Sequence, residues 1–340
     1  MPSKADTRPA GKVTSLEVAE RAGVSRSAVS RVFTPGASVS EKTAEKVRRA
    51  ADELGYRPNV LARSLMTGRS RMIGLLVAYL DNHFYPIVLE QLSSALQARG
   101  YHVLVFMASQ ADPDLDRVAE EILDYQVDGM ILASVAMTSD IAARCEASGV
   151  PVVLFNRRQG EVGELAVVSD NYAGGRMVAE HLLGLGRTRI AHIAGWSGAS
   201  TQADREAGFL DGLRAAGATL SARDIGDFRP ELAQAAARRM FAGPDRPDAV
   251  FVSNDYMAFV VMDVLRSELG LDVPGDVAVA SFDDVPTSSW PSYDLTSVRQ
   301  DASAMVAAAT DLIVAKIEGR TAVAPKPLPV ELVVRGSTVG

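Results

Sequence analysis

Residues 13–32 read VTSLEVAERAGVSRSAVSRV and decide the fold of the first part of the chain. Apolar residues recur at helical spacing on both sides of Gly23, which favours one helix before this glycine and a second helix after it. A serine hydroxyl can accept a hydrogen bond from a first-turn N–H, so Ser15 is placed to cap the first helix and Ser25 the second. The apolar positions of the first helix are Leu16, Val18, Ala19 and Ala22. Helix, tight turn and helix together predict a helix-turn-helix.

A third helix and a candidate DNA-reading surface complete this all-α head. Ser40 is placed to start the third helix and Gly55 to end it, after a turn predicted at Pro35-Gly36. In a helix-turn-helix the second helix enters the major groove and presents its N-terminal residues to base edges. Those residues are Arg26 and Ser27, with Arg31 further along the same face, and arginine can donate two hydrogen bonds to guanine. The alternative is a plain three-helix bundle with solvated arginines.

Charge is distributed unevenly along the chain. Residues 1–71 carry 14 Lys and Arg against 7 Asp and Glu, whereas the remaining residues carry 21 against 35, for a net charge of −7. A basic head on an acidic body predicts that the head meets a polyanion, although a basic solubilising tail has the same composition. Thr14, Ser15 and Ser25 are placed to contact phosphates, which fix the register on DNA without reading its sequence.

Beyond residue 71 the chain alternates between strand-like and helix-like segments. The apolar runs that have the character of buried parallel strands are 73–77, 102–106, 129–132, 152–155, 190–193, 250–252 and 277–280. Helical segments separate most of these runs, the first over residues 87–98. This alternation predicts an α/β fold with doubly wound parallel sheets, whose ligands bind at the carboxyl ends of the strands.

Composition indicates the compartment and the absence of cofactors. Residues 1–12 are polar, without the apolar core of a secretory signal, and are predicted to form a disordered tail. No apolar run reaches the length of a membrane span. The single cysteine, Cys145, excludes an internal disulfide and fits a reducing cytoplasm, so we expect a cytoplasmic, nucleoid-associated protein. The four histidines show no metal-ligand spacing, and neither a metal nor a cofactor is expected.

The head resembles that of the lactose-repressor (LacI/GalR) family of bacterial transcription regulators. The matching segments are 13–19 (VTSLEVA), 22–25 (AGVS), 28–32 (AVSRV), 54–59 (LGYRPN) and 62–65 (ARSL). The resemblance implies that residues 59–66 form a hinge helix that pairs with its copy in a dimer and enters the minor groove. Asn59 and Ala62 belong to that helix, and Leu65 matches the leucine that wedges between base pairs and kinks the duplex. The alternative for Leu65 is a buried core residue.

The resemblance extends through the body of the chain. The matching segments are 74–76 (GLL), 127–131 (VDGMI), 149–153 (GVPVV), 205–209 (REAGF), 253–255 (SND), 281–284 (SFDD) and 332–338 (LVVRGST). It implies a core like that of periplasmic binding proteins, in which two parallel-sheet subdomains enclose a ligand cleft. The implied bounds are 13–57 for the head, 58–71 for hinge and linker, and 72–340 for the effector-binding core. Within this core the N-subdomain spans about 72–170 and 299–323, and the C-subdomain about 171–298 and 324–340.

The resemblance also assigns effector-binding residues. Arg205 matches an arginine that grips ligand oxygens, and Asp283 matches an acceptor for ligand hydroxyls. Phe228 matches an aromatic that stacks on the ligand. The other residues expected at the cleft are Phe84, Tyr85, Asn156, Arg157, Thr201 and Asn254. The alternatives are a structural ion pair for Arg205 and Asp283, and a core or lid aromatic for Phe228.

The sequence thus predicts a non-enzymatic repressor controlled by a small-molecule effector, a sugar, sugar acid or similar polar metabolite. We expect a homodimer on a pseudo-palindromic operator, without the leucine-rich tail of the family's tetramers. One alternative is a periplasmic binding protein, which shares the body but has no use for the head. The other is a dinucleotide-dependent enzyme, for which the sequence lacks the glycine-rich phosphate-binding motifs.

Overall fold

The computed structural model describes residues 13–34, 37–57, 69–78, 80–107, 115–133, 139–159 and 165–339. The chain divides into two compact units, a head (Met1–Arg71) and a body (Met72–Gly340). The predicted tail, the turn at Pro35-Gly36 and the predicted hinge helix lie outside the described residues.

The head contains three helices, α1 (Ser15–Ala22), α2 (Arg26–Val32) and α3 (Glu41–Leu54). They pack around a small apolar core of Val18, Val29 and Val47 with neighbouring alanines. Gly23 ends α1 with a φ of 66°, a left-handed conformation that glycine adopts without steric cost. The tight turn lets α2 begin only a few residues after α1 ends, as a helix-turn-helix requires.

The cap of α1 differs from the prediction. Thr14, not Ser15, is the N-cap residue. Its hydroxyl oxygen accepts from Glu17 N at 3.4 Å, and the Glu17 carboxylate accepts from Thr14 N at 2.7 Å. This reciprocal capping box needs a glutamate three residues after the cap, a spacing that only Thr14 satisfies. Leu16, predicted to share the apolar positions of α1, is instead 54% exposed.

The body contains two β-sheets with helices on their faces. Its strands are β1 (Met72–Val77), β2 (His102–Met107), β3 (Gly129–Ala133), β4 (Val152–Phe155), β5 (Ala166–Val167), β6 (Ile190–Ala194), β7 (Ala222–Ile225), β8 (Ala249–Val252), β9 (Ala278–Asp283), β10 (Thr296–Gln300) and β11 (Val330–Val333). Its helices are α4 (Phe84–Ala98), α5 (Leu115–Asp124), α6 (Ser139–Ala147), α7 (Asn171–Gly184), α8 (Ser200–Ala215), α9 (Pro230–Phe241), α10 (Asp255–Asp263) and α11 (Ala302–Ile317).

The strands of the body form two separate sheets, and within each sheet the strands are mainly parallel. The first sheet has the order β2-β1-β3-β4-β5 and the second β11-β10-β9-β8-β6-β7. The described pairings are parallel except β10 with β11, which is antiparallel. The buried strands are almost wholly apolar, as expected where helices cover both faces. The predicted α/β fold with two doubly wound sheets is confirmed.

The chain crosses between the two sheets more than once. It passes from β5 to α7 and the second sheet, and returns after β10 through α11, which packs against α4 and β3. Gly129 on β3 allows this close approach, because a Cβ there would lie 2.9 Å from Ile313 Cδ1. The last crossing leads to β11 in the second sheet. In a doubly wound fold the space beyond the carboxyl ends of the strands is where ligands bind.

The predicted apolar runs omit strands β5, β7, β10 and β11, and the start of α4 differs from the prediction. Strand β7 was missed because its sequence, ARDI, has two charged residues in its centre and lies at the edge of the sheet, so it forms no apolar run. Helix α4 begins at Phe84, three residues before the predicted start, because Tyr85 N bonds to Asn82 O in a turn that leads into the helix. This earlier start determines which aromatic side chain reaches the cleft.

Candidate functional site

The candidate DNA-reading surface lies on α2. Ser25 is the N-cap of this helix, and its oxygen accepts from Ala28 N at 3.3 Å while lying 2.9 Å from the Ser27 hydroxyl. Arg26, Ser27 and Arg31 are exposed. The structure therefore places the three predicted base-reading side chains on the solvent-facing part of the second helix.

Contacts within the head orient the two arginines. Arg26 Nε donates to the Ser15 hydroxyl at 3.1 Å, so Ser15 links α1 to α2 instead of capping α1. Arg31 Nε lies 3.4 Å from Ser27 O, the preceding turn of the same helix. Each arginine keeps further N–H donors beyond the bond described here, because a guanidinium carries five. Asn59, Ala62 and Leu65, predicted for the hinge helix, lie outside the described residues.

The body contains a cavity with a volume of about 390 Å³, a figure that includes open space at its mouth. The residues that line it are Asp81, Asn82, Tyr85, Asn156, Arg157, Thr201, Arg205, Phe228, Asn254, Tyr256 and Asp283. Eight of the nine predicted effector-binding residues are among them. Phe84 is not, because its ring is buried and packs edge-on against Tyr85 with 5.4 Å between the ring centroids. The expectation that Phe84 lines the cleft is therefore wrong, since at the start of α4 only Tyr85 faces it.

A buried ion pair forms one wall of the cavity. Arg205, on α8, donates from its terminal nitrogens to Asp283 at 3.3 Å and to Ser253 O at 2.6 Å. Its Nε donates to Asn171 Oδ1 at 2.8 Å. Asp283, at the end of β9, also accepts from Gln300 Nε2 at 2.8 Å. Every nitrogen of the guanidinium is thus held by protein, which fixes the direction of its remaining N–H donors.

Burial also sets the ionisation behaviour of this wall. It raises the pKa of the Asp283 carboxyl and lowers the pKa of the Arg205 guanidinium, while their mutual attraction acts in the opposite direction for both. Behind them, burial raises the pKa of Asp255 to about 7. Asp255 accepts hydrogen bonds from Val285 N and from the hydroxyls of Ser288 and Ser297 at 2.6–2.9 Å. It fastens α10 to the segment that follows Asp283.

The aromatic wall is built around a glycine. Phe228 lies with its ring against Gly195, where a Cβ would come within 2.2 Å of the ring carbon Cζ. The guanidinium carbon of Arg157 lies 5.9 Å from the centroid of the same ring. Phe228 therefore has one side in contact with backbone and a cation nearby, and it presents an aromatic surface to the cavity.

One polar atom of the opposite wall has its hydrogen-bonding capacity unused. Asn156 Nδ2 donates to Tyr85 Oη at 2.9 Å, whereas its Oδ1 is buried and has no hydrogen-bond partner among the described residues. A buried polar atom without a partner is unfavourable by about 1–3 kcal/mol. A ligand hydroxyl that donates to Asn156 Oδ1 relieves this.

Three residues that line the cavity have an unusual backbone conformation. Asn156, Phe228 and Asp283 have φ values of 69°, 58° and 121°, in the region that side chains other than glycine rarely adopt. Such conformations persist where the surrounding structure enforces them, commonly at ligand sites. The three residues come from separate segments of the body, and each of them faces the same space.

Three lining residues were missed from the sequence. Asp81 and Asn82 follow β1, and Tyr256 follows Asn254 at the start of α10. Asp81 and Tyr256 meet across the mouth, where the tyrosine hydroxyl donates to the carboxylate at 3.1 Å. The position after a strand end was the available signal for all three. The sequence predicted only their neighbours Phe84, Tyr85 and Asn254.

Two further findings concern metal-binding groups and membrane-spanning helices. Among the described residues there is no group of three or more His, Cys, Asp or Glu side chains that could hold a metal ion. None of the described helices is both long enough and apolar enough to cross a membrane.

A helix-turn-helix head followed by a two-sheet body with a cavity at its strand ends defines a class, the DNA-binding regulators with a periplasmic-binding-protein-like core. Residues 15–59 match the family described as bacterial regulatory proteins, lacI family, and residues 179–338 match the periplasmic binding protein-like domain. The chain belongs to the LacI family of transcriptional regulators, as its sequence predicted.

Relatives and solved structures agree with this assignment. The transcriptional regulator CelR of Thermobifida fusca is 33% identical over 313 residues, covering 89% of this chain and 92% of the relative. GntR of Pseudomonas aeruginosa is 33% identical, covering 93% and 92%. The Lac repressor dimer bound to operator and the anti-inducer ONPF superposes with a TM-score of 0.87 at 29% identity, covering 97% and 100%. These are regulators, so the enzyme and periplasmic-carrier alternatives are set aside.

Proposed function

We propose that this regulator is a repressor whose affinity for its operator is controlled by a small polar effector bound in the body cavity. The observation that carries the proposal is the convergence of Arg205, Asp283, Phe228 and Asn156 on one space between the two sheets. Together they offer charged donors and acceptors, an aromatic face and a buried acceptor, which is the composition of a site for a polyhydroxylated ligand.

The ligand class follows from these groups and from the relatives. The fixed donors of Arg205 suit vicinal hydroxyls or a carboxylate, and Phe228 suits the apolar face of a sugar ring. Related proteins include ribose operon repressors at 31–32% identity, and a solved structure of CelR in complex with cellobiose has a TM-score of 0.71. We propose a sugar, a sugar acid or a similar metabolite as the effector.

DNA recognition is proposed for the head. Arg26, Ser27 and Arg31 read base edges in the major groove, and Thr14, Ser15 and Ser25 contact phosphates. Support comes from the exposure of the α2 side chains and from the basic charge of residues 1–71. In this proposal Thr14 and Ser15 each have two roles. Besides contacting phosphates, the Thr14 side chain caps α1 and the Ser15 hydroxyl holds Arg26 in place.

A homodimer on a pseudo-palindromic operator is proposed, with residues 58–71 as hinge and linker. A hinge helix of two turns is not stable alone and forms with its copy on DNA. Edge strand β2 exposes the apolar side chains of Val105 and Met107, and we propose that these face the second copy. We place this regulator in the cytoplasm, where its DNA lies.

The proposed domain limits are those predicted from the sequence. Arg299 and its neighbours lie on β10 of the second sheet, and α11 after them covers the first sheet, which supports a subdomain change near residues 299–301. A bridge between Ser169 and Leu328 lies near the other two crossings. Bending at these three crossings changes the angle between the sheets when a ligand binds. Which angle favours DNA binding depends on the state that the ligand prefers.

The test is a thermal-shift screen of the full-length protein with sugars, sugar acids and nucleobases. A ligand that binds the folded state raises the melting temperature by mass action. We expect a polyhydroxylated compound to raise it and also to change the affinity for DNA. A compound that stabilises the protein without any effect on DNA affinity contradicts the proposal.

A further inference from the structure

A second cavity adjoins the first. It has a volume of about 890 Å³, including open space at its mouth. The residues that line it are Leu154, Arg157, Arg158, Gln159, Trp196, Ser197, Gly198, Ala199, Ser200 and Ala203. Arg157 lines both cavities, and at the start of α8 Ser200 faces the second while Thr201 faces the first. The two cavities therefore meet at two places, at Arg157 after β4 and at the start of α8.

The second cavity has an exposed tryptophan in its wall. Trp196 is 37% exposed, unlike Phe209, Phe251 and Phe282 of the body, which are fully buried. The loop is shaped to hold the indole, since a Cβ on Gly198 would lie 2.5 Å from the indole carbon Cζ2. Glycine thus lets the backbone lie against the ring. An indole held in place but left in contact with solvent is a ready surface for the apolar face of a ligand.

Arg157 connects the two aromatic surfaces. Its guanidinium carbon lies 5.4 Å from the centroid of the Trp196 ring and 5.9 Å from that of the Phe228 ring. The two ring centroids are therefore at most about 11 Å apart. Phe228 faces the first cavity and Trp196 the second, so the wall presents an aromatic ring, a cation and a second aromatic ring in sequence.

A contact between segments from the two sheets lies beside the second cavity. Arg158, after β4, donates to both carboxylate oxygens of Asp204 on α8 at 2.8 and 2.9 Å. Arg158 N also donates to the Ser200 hydroxyl at 3.0 Å. These bonds tie the segment after β4 to the start of α8, the two pieces of chain that carry Arg157 and Trp196. The two segments that line the second cavity are thus held together by hydrogen bonds.

We propose that the effector is a saccharide of two linked rings. One ring lies in the first cavity against Phe228, the second lies against Trp196, and Arg157 contacts the hydroxyls at the junction. This inference rests on the proposed function and adds the size of the ligand to it. Two linked rings can place one ring in each cavity, whereas a single ring in the first cavity contacts Phe228 and leaves Trp196, which lines only the second cavity, uncovered.

The experiment compares one-ring and two-ring sugars by calorimetry on the full-length protein. The probe pairs are glucose with cellobiose, galactose with lactose, and xylose with xylobiose, each also with its aldonic acid. We expect a two-ring member to bind about tenfold more tightly than its one-ring partner, the effect of one added aromatic stacking contact. Trp196→Ala removes this advantage and leaves the one-ring affinity unchanged. Trp290→Ala, at an exposed tryptophan outside both cavities, changes neither.

Each other outcome overturns the inference. A one-ring sugar that binds as tightly as its two-ring partner overturns it and leaves the proposed function standing. The same follows if Trp196→Ala weakens both members of a pair equally. If no sugar of any pair binds, the inference fails together with the ligand class of the proposed function.

Fluorescence gives a second readout that does not depend on affinity. The chain has two tryptophans, so Trp196 is the sole indole in the Trp290→Phe variant. A two-ring sugar at saturation shifts the emission of Trp196 to shorter wavelength because it excludes water from the ring. An unchanged spectrum at saturation places the ligand elsewhere and contradicts the inference.

Discussion

The Arg205 guanidinium and the Asp283 carboxylate lie 3.3 Å apart, and each side chain is only 3% exposed. The arginine comes from α8 and the carboxylate from the end of β9, so the pair joins a helix to a strand of the second sheet at the ligand cavity. The structural ion pair that the sequence left open as an alternative is present. Its place in the cavity wall makes it compatible with a ligand-binding role.

Removing one member of this pair tests both roles. Arg205→Ala leaves a buried carboxylate without its partner, which lowers the free energy of unfolding by about 3–5 kcal/mol. Arg205→Ala with Asp283→Asn recovers part of that loss, because the remaining amide is uncharged. Both variants lose the response to effector and keep basal DNA binding. Urea unfolding and DNA titration of the two variants check this, and a double variant that still responds to effector contradicts it.

The contact between Gly195 and Phe228 predicts a non-additive pair of substitutions. Gly195→Ala places a Cβ about 2.2 Å from Phe228 Cζ, so the ring moves and ligand affinity falls. Phe228→Ala also weakens binding, by loss of the stacking surface. Once the ring is gone, the atoms nearest to the added methyl are gone with it, so the double variant binds no more weakly than Phe228→Ala alone. Calorimetry measures all three affinities.

Gly184→Ala is the matched control for that pair. It adds the same methyl in α7, where nothing lies within 4 Å, and leaves ligand affinity unchanged. If the losses from Gly195→Ala and Phe228→Ala simply add, the ring is not held by Gly195 and the account of the aromatic wall is wrong.

On the head, Arg26→Ala reduces sequence discrimination. If Arg26 donates to a guanine, its loss weakens binding by about 1–3 kcal/mol at one base position in each half-site. Arg21→Ala is the control, because Arg21 pairs with Glu53 and extends from α1. Binding measured on a set of single-base operator variants distinguishes the two. An equal loss on every sequence means that Arg26 contacts phosphate only.

His192 predicts a loss of stability at acidic pH. It is buried, its Nδ1 lies 2.9 Å from Phe251 O, and burial lowers its pKa to about 4. The unfolded chain binds the proton first as pH falls, since its histidine pKa is about 6.5. The stabilisation is therefore complete above pH 6.5 and is lost down to about pH 4, at up to about 1.4 kcal/mol per pH unit.

The measurement for His192 is a difference between two proteins. Asp255 acts in the opposite direction in this window, because its raised pKa of about 7 makes the folded state gain stability as pH falls. Its contribution cancels when the wild type is compared with His192→Gln, which keeps a neutral polar side chain. Urea unfolding from pH 7.5 to 4.5 should show a steeper loss for the wild type. Parallel curves contradict the prediction.

The sequence predicted several of the site residues that follow a buried strand. Asn156 comes directly after β4 and Asn254 shortly after β8, and such positions in a parallel sheet face one edge. Asp81 was missed although it follows β1, and Phe84 was assigned to the cleft wrongly for a separate reason. The side chain that reaches the cleft depends on where α4 begins, and helix ends are set by local hydrogen bonds that periodicity does not reveal.

Other features depend on contacts between distant segments. Beside the second cavity Arg158 pairs with Asp204, 46 residues later in the chain, and no pattern in either segment indicates the other. Likewise, Gly195 is required because Phe228 lies on it. The cap at Thr14 was within reach of the sequence, since the Thr14–Glu17 spacing is that of a capping box.

The most direct test of whether a ligand in the cavity controls DNA binding is a fluorescence-anisotropy titration. The full-length protein is titrated with an operator obtained by selection from random duplex DNA. The titration is done at low salt, with and without the compound that gives the largest thermal shift. The account predicts tight, sequence-dependent binding whose dissociation constant changes at least about tenfold with the ligand, a coupling of about 1.4 kcal/mol. Binding that is the same at every ligand concentration, or no binding to duplex DNA in either state, contradicts it.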